Sequence, residues 1–301
     1  MKKAESQIVR LLRTKGPSTG FEIKNETGLD NLLAWKTCKT SEKLQLERVG
    51  TRYLRLDRRV DGFARLSPSI LREFLTYTVV GLKSDQESLH ARAADIRDQI
   101  EEISRLKLEL ARRMAAAVAE KFGDAYPLDQ VAFVLAGDIV YNMAHDVPRP
   151  ERSTGKMVRG SDIDLVVIVG DEVPEAFFTT LDDYIYREKY TMLVSPSINE
   201  EADYIVKRLG RVREQALFDT FKHMVACKIL DEGILLHGSE GIFHSAKSIL
   251  ADAGVLEKLA ELEQVAEVFR RNAEASLLKD GPKTHESEYL FYSAEESEEF
   301  E

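Results

Sequence analysis

The sequence has only two cysteines, Cys38 and Cys227, far apart and in no Cys-x-x-Cys pair. That excludes a disulfide framework and a zinc ribbon, and both thiols are expected to be reduced. The six histidines (His90, His145, His223, His237, His244 and His285) show no ligand spacing with one another or with a cysteine, and no glycine-rich Walker loop is present. Zinc hydrolases and P-loop enzymes therefore find no support. No apolar run approaches the roughly 20 residues needed to cross a bilayer. The stretch from Met1 to Arg13 is charged and amphipathic, which does not fit a secretory signal, so a soluble, cytoplasmic protein is expected. There is no internal repeat, and the middle of the chain is too poor in glycine and proline to hold a flexible linker.

What the chain does have is ordinary globular composition, 44% hydrophobic and 31% charged over 301 residues, enough for two or three domains. The net charge of −10 is uneven, because residues 1 to 60 hold 14 Lys or Arg against 7 Asp or Glu. At the other end, His285 to Glu301 carries seven Glu and no Lys or Arg, a composition that predicts a solvated, disordered tail.

Ile8, Val9, Leu11 and Leu12 mark a first helix, and Gly16-Pro17-Ser18-Thr19 is a break with a cap for a second helix through Phe21 and Ile23. Gly28 ends it, and Asp30 caps a third helix through Leu32, Leu33 and Trp35. Leu44 to Val49 is then expected to pair with Thr51 to Leu56 across Gly50. This order resembles a winged helix-turn-helix. The resemblance implies that the third helix and the ribbon contact nucleic acid through Lys36, Lys39, Arg48 and Arg52, with a protein-binding winged helix as the alternative.

Ser67 to Leu82 is expected to be an apolar helix, and Asp85 to Phe122 one long helix without Pro or Gly. Ile96, Ile100, Ile103, Leu110 and Met114 recur along it at helical intervals, with Lys107 interrupting the seam. Such a stripe packs within its own domain or against a second copy in a homodimer. A last amphipathic helix, Leu256 to Leu278, is expected to pack on the domain before it.

The chemistry concentrates between Gln130 and Gly241. Val131 to Ala136 predicts a buried strand ending in Gly137-Asp138, and Ile163 to Val169 a second strand introduced by Gly160-Ser161-Asp162. Asp162 and Asp164 are two apart, so on a strand their side chains share a face. Two carboxylates held together at a buried strand end are costly unless a cation neutralises them. Hard carboxylate oxygens suit Mg²⁺, which takes one or two carboxylates together with nucleotide phosphates.

Gly137, Asp162-Ile163-Asp164 and a later acid, Asp203, which opens Asp203-Tyr-Ile-Val206, resemble the nucleotidyltransferase superfamily of DNA polymerase beta and kanamycin nucleotidyltransferase. The resemblance covers roughly residues 130 to 240. It implies a mixed sheet flanked by helices and transfer of a nucleoside monophosphate from a nucleoside triphosphate such as ATP to a hydroxyl acceptor, with two Mg²⁺ ions. Asp162, Asp164 and Asp203 would be the catalytic metal ligands, and Glu201, two residues before Asp203, is the runner-up for the third acid. Gly137, Asp138, Arg159, Ser161, Lys207 and Arg208 would line the nucleotide. Asp138 stands where the family has Ser, and the spacer from Gly137 to Asp162 carries Arg149, Arg152, Lys156 and Arg159, which can supply phosphate contacts.

The expected architecture is therefore α/β (α+β): residues 1–60 winged-helix-like, 61–125 a helical spacer, 126–250 the catalytic domain, and 251–301 a helix and acidic tail. A competing reading keeps the same fold without turnover, as a DNA-binding regulator or nucleotide sensor.

Overall fold

The computed structural model describes residues 1–123, 129–151, 154–279 and 289–292. The protein is mixed α/β, with mixed sheets flanked by helices. It divides into two units. The first comprises Met1–Arg55, Ala64–Ile100 and the chain from Glu263 onward; the second comprises Leu56–Phe63 and Glu101–Leu262.

The first unit opens with α1 (Lys2–Lys15), β1 (Ser18–Thr19), α2 (Gly20–Thr27) and α3 (Asn31–Thr40). Local chemistry sets these boundaries. Thr19 and Glu22 form a capping box at the start of α2, Gly28 closes that helix in the left-handed conformation, and Asp30 accepts from the Leu33 amide at the start of α3. β2 (Leu44–Arg48), β3 (Tyr53–Leu56), β4 (Ala64–Ser67), α4 (Ile70–Thr76), β5 (Thr78–Leu82) and α5 (Gln86–Glu120) follow.

Two sequence expectations are corrected here. The helix expected over residues 67–82 is only α4; Thr78-Val-Val-Gly-Leu82, rich in β-branched residues, is a strand. That strand takes the partner expected for β3. β2 pairs with β5 antiparallel, Leu44 opposite Leu82 and Arg48 opposite Thr78, while β3 pairs with β4. The expected β2–β3 ribbon is thus replaced by a β1-β5-β2 sheet and a separate β3-β4 hairpin.

The second unit is built on one sheet. After α5 come β6 (Val131–Ala136), β7 (Pro148–Pro150), β8 (Met157–Arg159), β9 (Ile163–Val169), α6 (Glu175–Val194) and β10 (Ala202–Arg208). The element order ends with α7 (Leu209–Gln215), α8 (Phe221–Glu232), β11 (Ile234–Gly238), α9 (Glu240–Asp252) and α10 (Val255–Leu278). The strand order is β10-β9-β6-β11, with β9 and β10 parallel and the other pairs antiparallel. Val131, Phe133 and Leu135 of β6, Ile163, Leu165, Val167 and Val169 of β9, and Ala202 of β10 fill one core with Met114 and Val118 of α5 and Leu181 and Ile185 of α6. Residues between them on each strand necessarily face the other side of the sheet. The α5 seam is used within the chain: Ile96, Ile100 and Met114 are all buried.

α10 departs from expectation. Ala273 and Leu277 are buried with Ile8, Trp35 and Phe74 in the core of the first unit, so this part of the helix belongs there and not to the preceding domain. Phe291, inside the stretch expected to be a solvated tail, is 3% exposed, and its ring lies 5.8 Å from that of Trp35. The rest of the expected tail, 285–288 and 293–301, lies outside the described residues.

Candidate metal centre at the strand ends

β9 and β10 begin at the same end of the sheet, with Asp203 in register with Asp164 and Ala136 opposite Asp164 on the other side. Because Ile163 and Leu165 point into the core, Asp164 projects from the opposite face, as do Asp203 and, one pleat earlier, Glu201. Gly137 follows immediately at the end of β6. Asp162, Glu201 and Asp203 each bring a carboxylate oxygen within 4.8 Å of the others, a group that could hold a metal ion. The two competing third acids therefore both reach the cluster, the buried Glu201 alongside the exposed Asp203. Asp164, expected to share the metal with Asp162, is not one of this group; its Oδ2 lies against Gly137.

Gly137 has a physical reason to be glycine. Its φ is +76°, and a Cβ there would overlap Asp164 Oδ2. Its amide donates to Glu232 Oε1 at 3.2 Å. Asp138 is tied into the next turn: its Oδ2 accepts from the Ser161 hydroxyl at 3.0 Å, and Ser161 Oγ accepts from the His145 amide at 3.2 Å. These bonds tie the turn after β6 to the segment that introduces Asp162.

Three cations organise the acids. Lys189 of α6 pairs with Asp203 at 2.7 Å. Arg149 of β7 sends its guanidinium to Asp162 and, at 2.9 Å, to Glu201. Lys107 of α5, which interrupts the apolar seam, is 4% exposed and donates to the carbonyls of Arg159 at 2.7 Å and Ser161 at 2.9 Å and to the Glu200 carboxylate. One ammonium thus pins the segments entering β9 and β10. Burial pushes the Lys107 pKa down and the Glu200 pKa up. The only sequence signal for Lys107 was a charge inside a hydrophobic stripe; Lys189 and Glu232 gave none.

Two expected nucleotide contacts lie elsewhere. Lys207 and Arg208 close β10, four and five residues beyond Asp203, a separation of roughly 13 to 17 Å along a strand. Arg208 donates there to the carbonyls of Gly170, Asp171 and Val173. Lys207 is buried and donates to Gln215 Oε1 at 2.9 Å. The strand thus carries both residues away from the acids. Arg159 reaches the site through its backbone, and Arg152 lies outside the described residues.

Desolvation lowers the Lys207 pKa to about 8. A lysine whose folded pKa lies below its ordinary value of 10.5 withholds stability below pH 8 and restores it as the pH rises towards 10.5, where the unfolded chain holds the extra proton. Relief of that desolvation should make Lys207→Met more stable than wild type at pH 7, by less than about 3 kcal/mol because the buried Gln215 Oε1 loses its donor. The difference should shrink between pH 8 and 10.5, as read by urea unfolding across that range.

In the first unit, the residues expected to touch nucleic acid already have partners. Lys36 donates to the Lys279 carbonyl, Lys39 pairs with Glu274, and Arg52 is shared between Glu73 and Glu274. Arg270 of α10, buried, joins the same network through Glu73 and Glu274. Arg48 is exposed. A phosphate backbone would have to compete with carboxylates for Lys39 and Arg52, and with a backbone carbonyl for Lys36.

No helix among the described residues is long and apolar enough to cross a membrane. Comparison with known proteins returned no matching family model, no matching curated protein and no matching solved structure.

Proposed function

We propose that the protein is a cytoplasmic, Mg²⁺-dependent nucleotidyltransferase that moves a nucleoside monophosphate from a nucleoside triphosphate to a hydroxyl acceptor and releases pyrophosphate. The observation that carries this reading is the convergence of Asp162, Glu201 and Asp203 where two parallel strands begin, with Asp164 of β9 packed against Gly137. The donor set fits the ion: all ligands are hard carboxylate oxygens, and a guanidinium already rests on two of them, so the pocket accepts positive charge. Bound there, Mg²⁺ would acidify the attacking hydroxyl and neutralise the triphosphate and its leaving pyrophosphate.

The chain's own contribution is placement. Asp162, Glu201 and Asp203 would be the principal ligands, with Asp164, on the same strand face, as a further one. The Gly137 turn lets the Asp164 carboxylate pack directly against the backbone, where any side chain would collide with it. Lys107 and the Asp138–Ser161 bond hold the segment that carries the first acid. The acceptor is left open by this reading, because strand-end carboxylates fix the phosphoryl chemistry and not its recipient.

The test is pyrophosphate release and transfer of an α-phosphate label from each nucleoside triphosphate, in Mg²⁺ and in chelator, with cell extract as the source of acceptors. Label transfer that requires Mg²⁺ supports the reading. Mg²⁺-dependent triphosphate binding without release supports the sensor alternative instead, and absence of both results overturns the proposal.

A further inference from the structure

The spacer between Gly137 and Asp162 is not a plain loop. β7 and β8 form an antiparallel hairpin in which Arg149 lies opposite Val158, and Val158 is buried as its anchor. Arg149 Nε donates to the Gly160 carbonyl at 2.9 Å, and its Nη2 reaches Asp162 Oδ1 and Glu201 Oε2. The guanidinium is therefore held at one edge by backbone and spends the other on two of the three residues that could hold a metal.

We propose that Arg149 is the resident counter-cation of this cluster and that a divalent ion must displace it. A carboxylate oxygen engaged by a guanidinium is not open to a metal, and two cations on the same oxygens repel strongly in a partly buried site. Arg149 therefore weakens binding of the metal alone. A triphosphate changes the balance, because its oxygens offer the displaced guanidinium a bidentate partner as good as the carboxylates it leaves. The hairpin thus couples metal loading to the presence of nucleotide and keeps the acids neutralised otherwise.

This inference rests on the metal-site reading above, and its test does not use activity. Mn²⁺ binding is measured by electron paramagnetic resonance in wild type, Arg149→Ala and Arg149→Gln, the last keeping an N–H donor at the position of Nε for the Gly160 carbonyl, without the charge, in case the alanine variant does not fold. Without nucleotide, both variants should bind Mn²⁺ at least tenfold more tightly than wild type. A non-hydrolysable triphosphate analogue should tighten Mn²⁺ binding in wild type far more than in either variant. Equal or weaker Mn²⁺ binding in the folded variants overturns the role of Arg149 and leaves the metal site standing. If no protein binds Mn²⁺, the metal-site reading falls with it.

Discussion

Asp162→Asn and Asp164→Asn should each lower Mg²⁺-dependent pyrophosphate release by about a thousandfold or more while leaving the fold intact. Metal charge stabilisation contributes several kcal/mol to such transfers, and each 1.36 kcal/mol is a factor of ten. Stability should change little, because Asn keeps the shape of Asp at both positions and each substitution removes one negative charge from a crowded group. Arg149 would still have Glu201 in Asp162→Asn. Circular dichroism and thermal unfolding report the fold, and a coupled pyrophosphate assay reports turnover. Release that survives in the double variant would place the chemistry elsewhere.

Lys107→Met should destabilise the protein by about 3–5 kcal/mol, the cost of stranding one partner of a buried ion pair. Glu200, 7% exposed, would keep a carboxylate without its cation, and the carbonyls of Arg159 and Ser161 would lose their donor. Adding Glu200→Leu should return more than half of the lost stability, since replacing both partners of a buried pair by apolar groups is often neutral. Urea unfolding of the single and double variants decides the matter. An unaltered midpoint for Lys107→Met would mean that the two strand ends are held by the sheet alone.

The central strands β6 and β9 were legible because their signals are local. Val131–Ala136 and Ile163–Val169 are apolar runs of strand length bounded by glycine, and Asp162 and Asp164 declare a shared face by their spacing alone. The completion of the site was not legible in the same way. Whether Glu201 or Asp203 approaches Asp162 depends on the register of β10 against β9, and the answer is that both do. Lys207 and Arg208 looked close to the third acid in sequence, yet a strand converts four residues into a distance that separates them from it. In the first unit, β2 and β3 are adjacent in sequence with glycine between them, and local turn chemistry favours their pairing. A strand thirty residues on, within a segment whose apolar spacing also suits a helix, takes the place of β3. Long-range pairing of that kind leaves no periodic trace.

The order in which the chain is made has a consequence for the first unit. Its core holds Ile8, Val9 and Leu12 from the first helix and Ala273 and Leu277 from the last, so in chain order nearly all of the second unit falls between segments of the first. Chains emerge from the ribosome at about 5–20 residues per second. The second unit, contributed almost wholly by Glu101–Leu262, has all its strands available before α10 is synthesised. During that interval the face of α3 around Trp35 lacks its C-terminal cover, and Lys39 and Arg52 lack Glu274. On a nascent chain, then, the N-terminal unit should reach its final form after the unit that follows it.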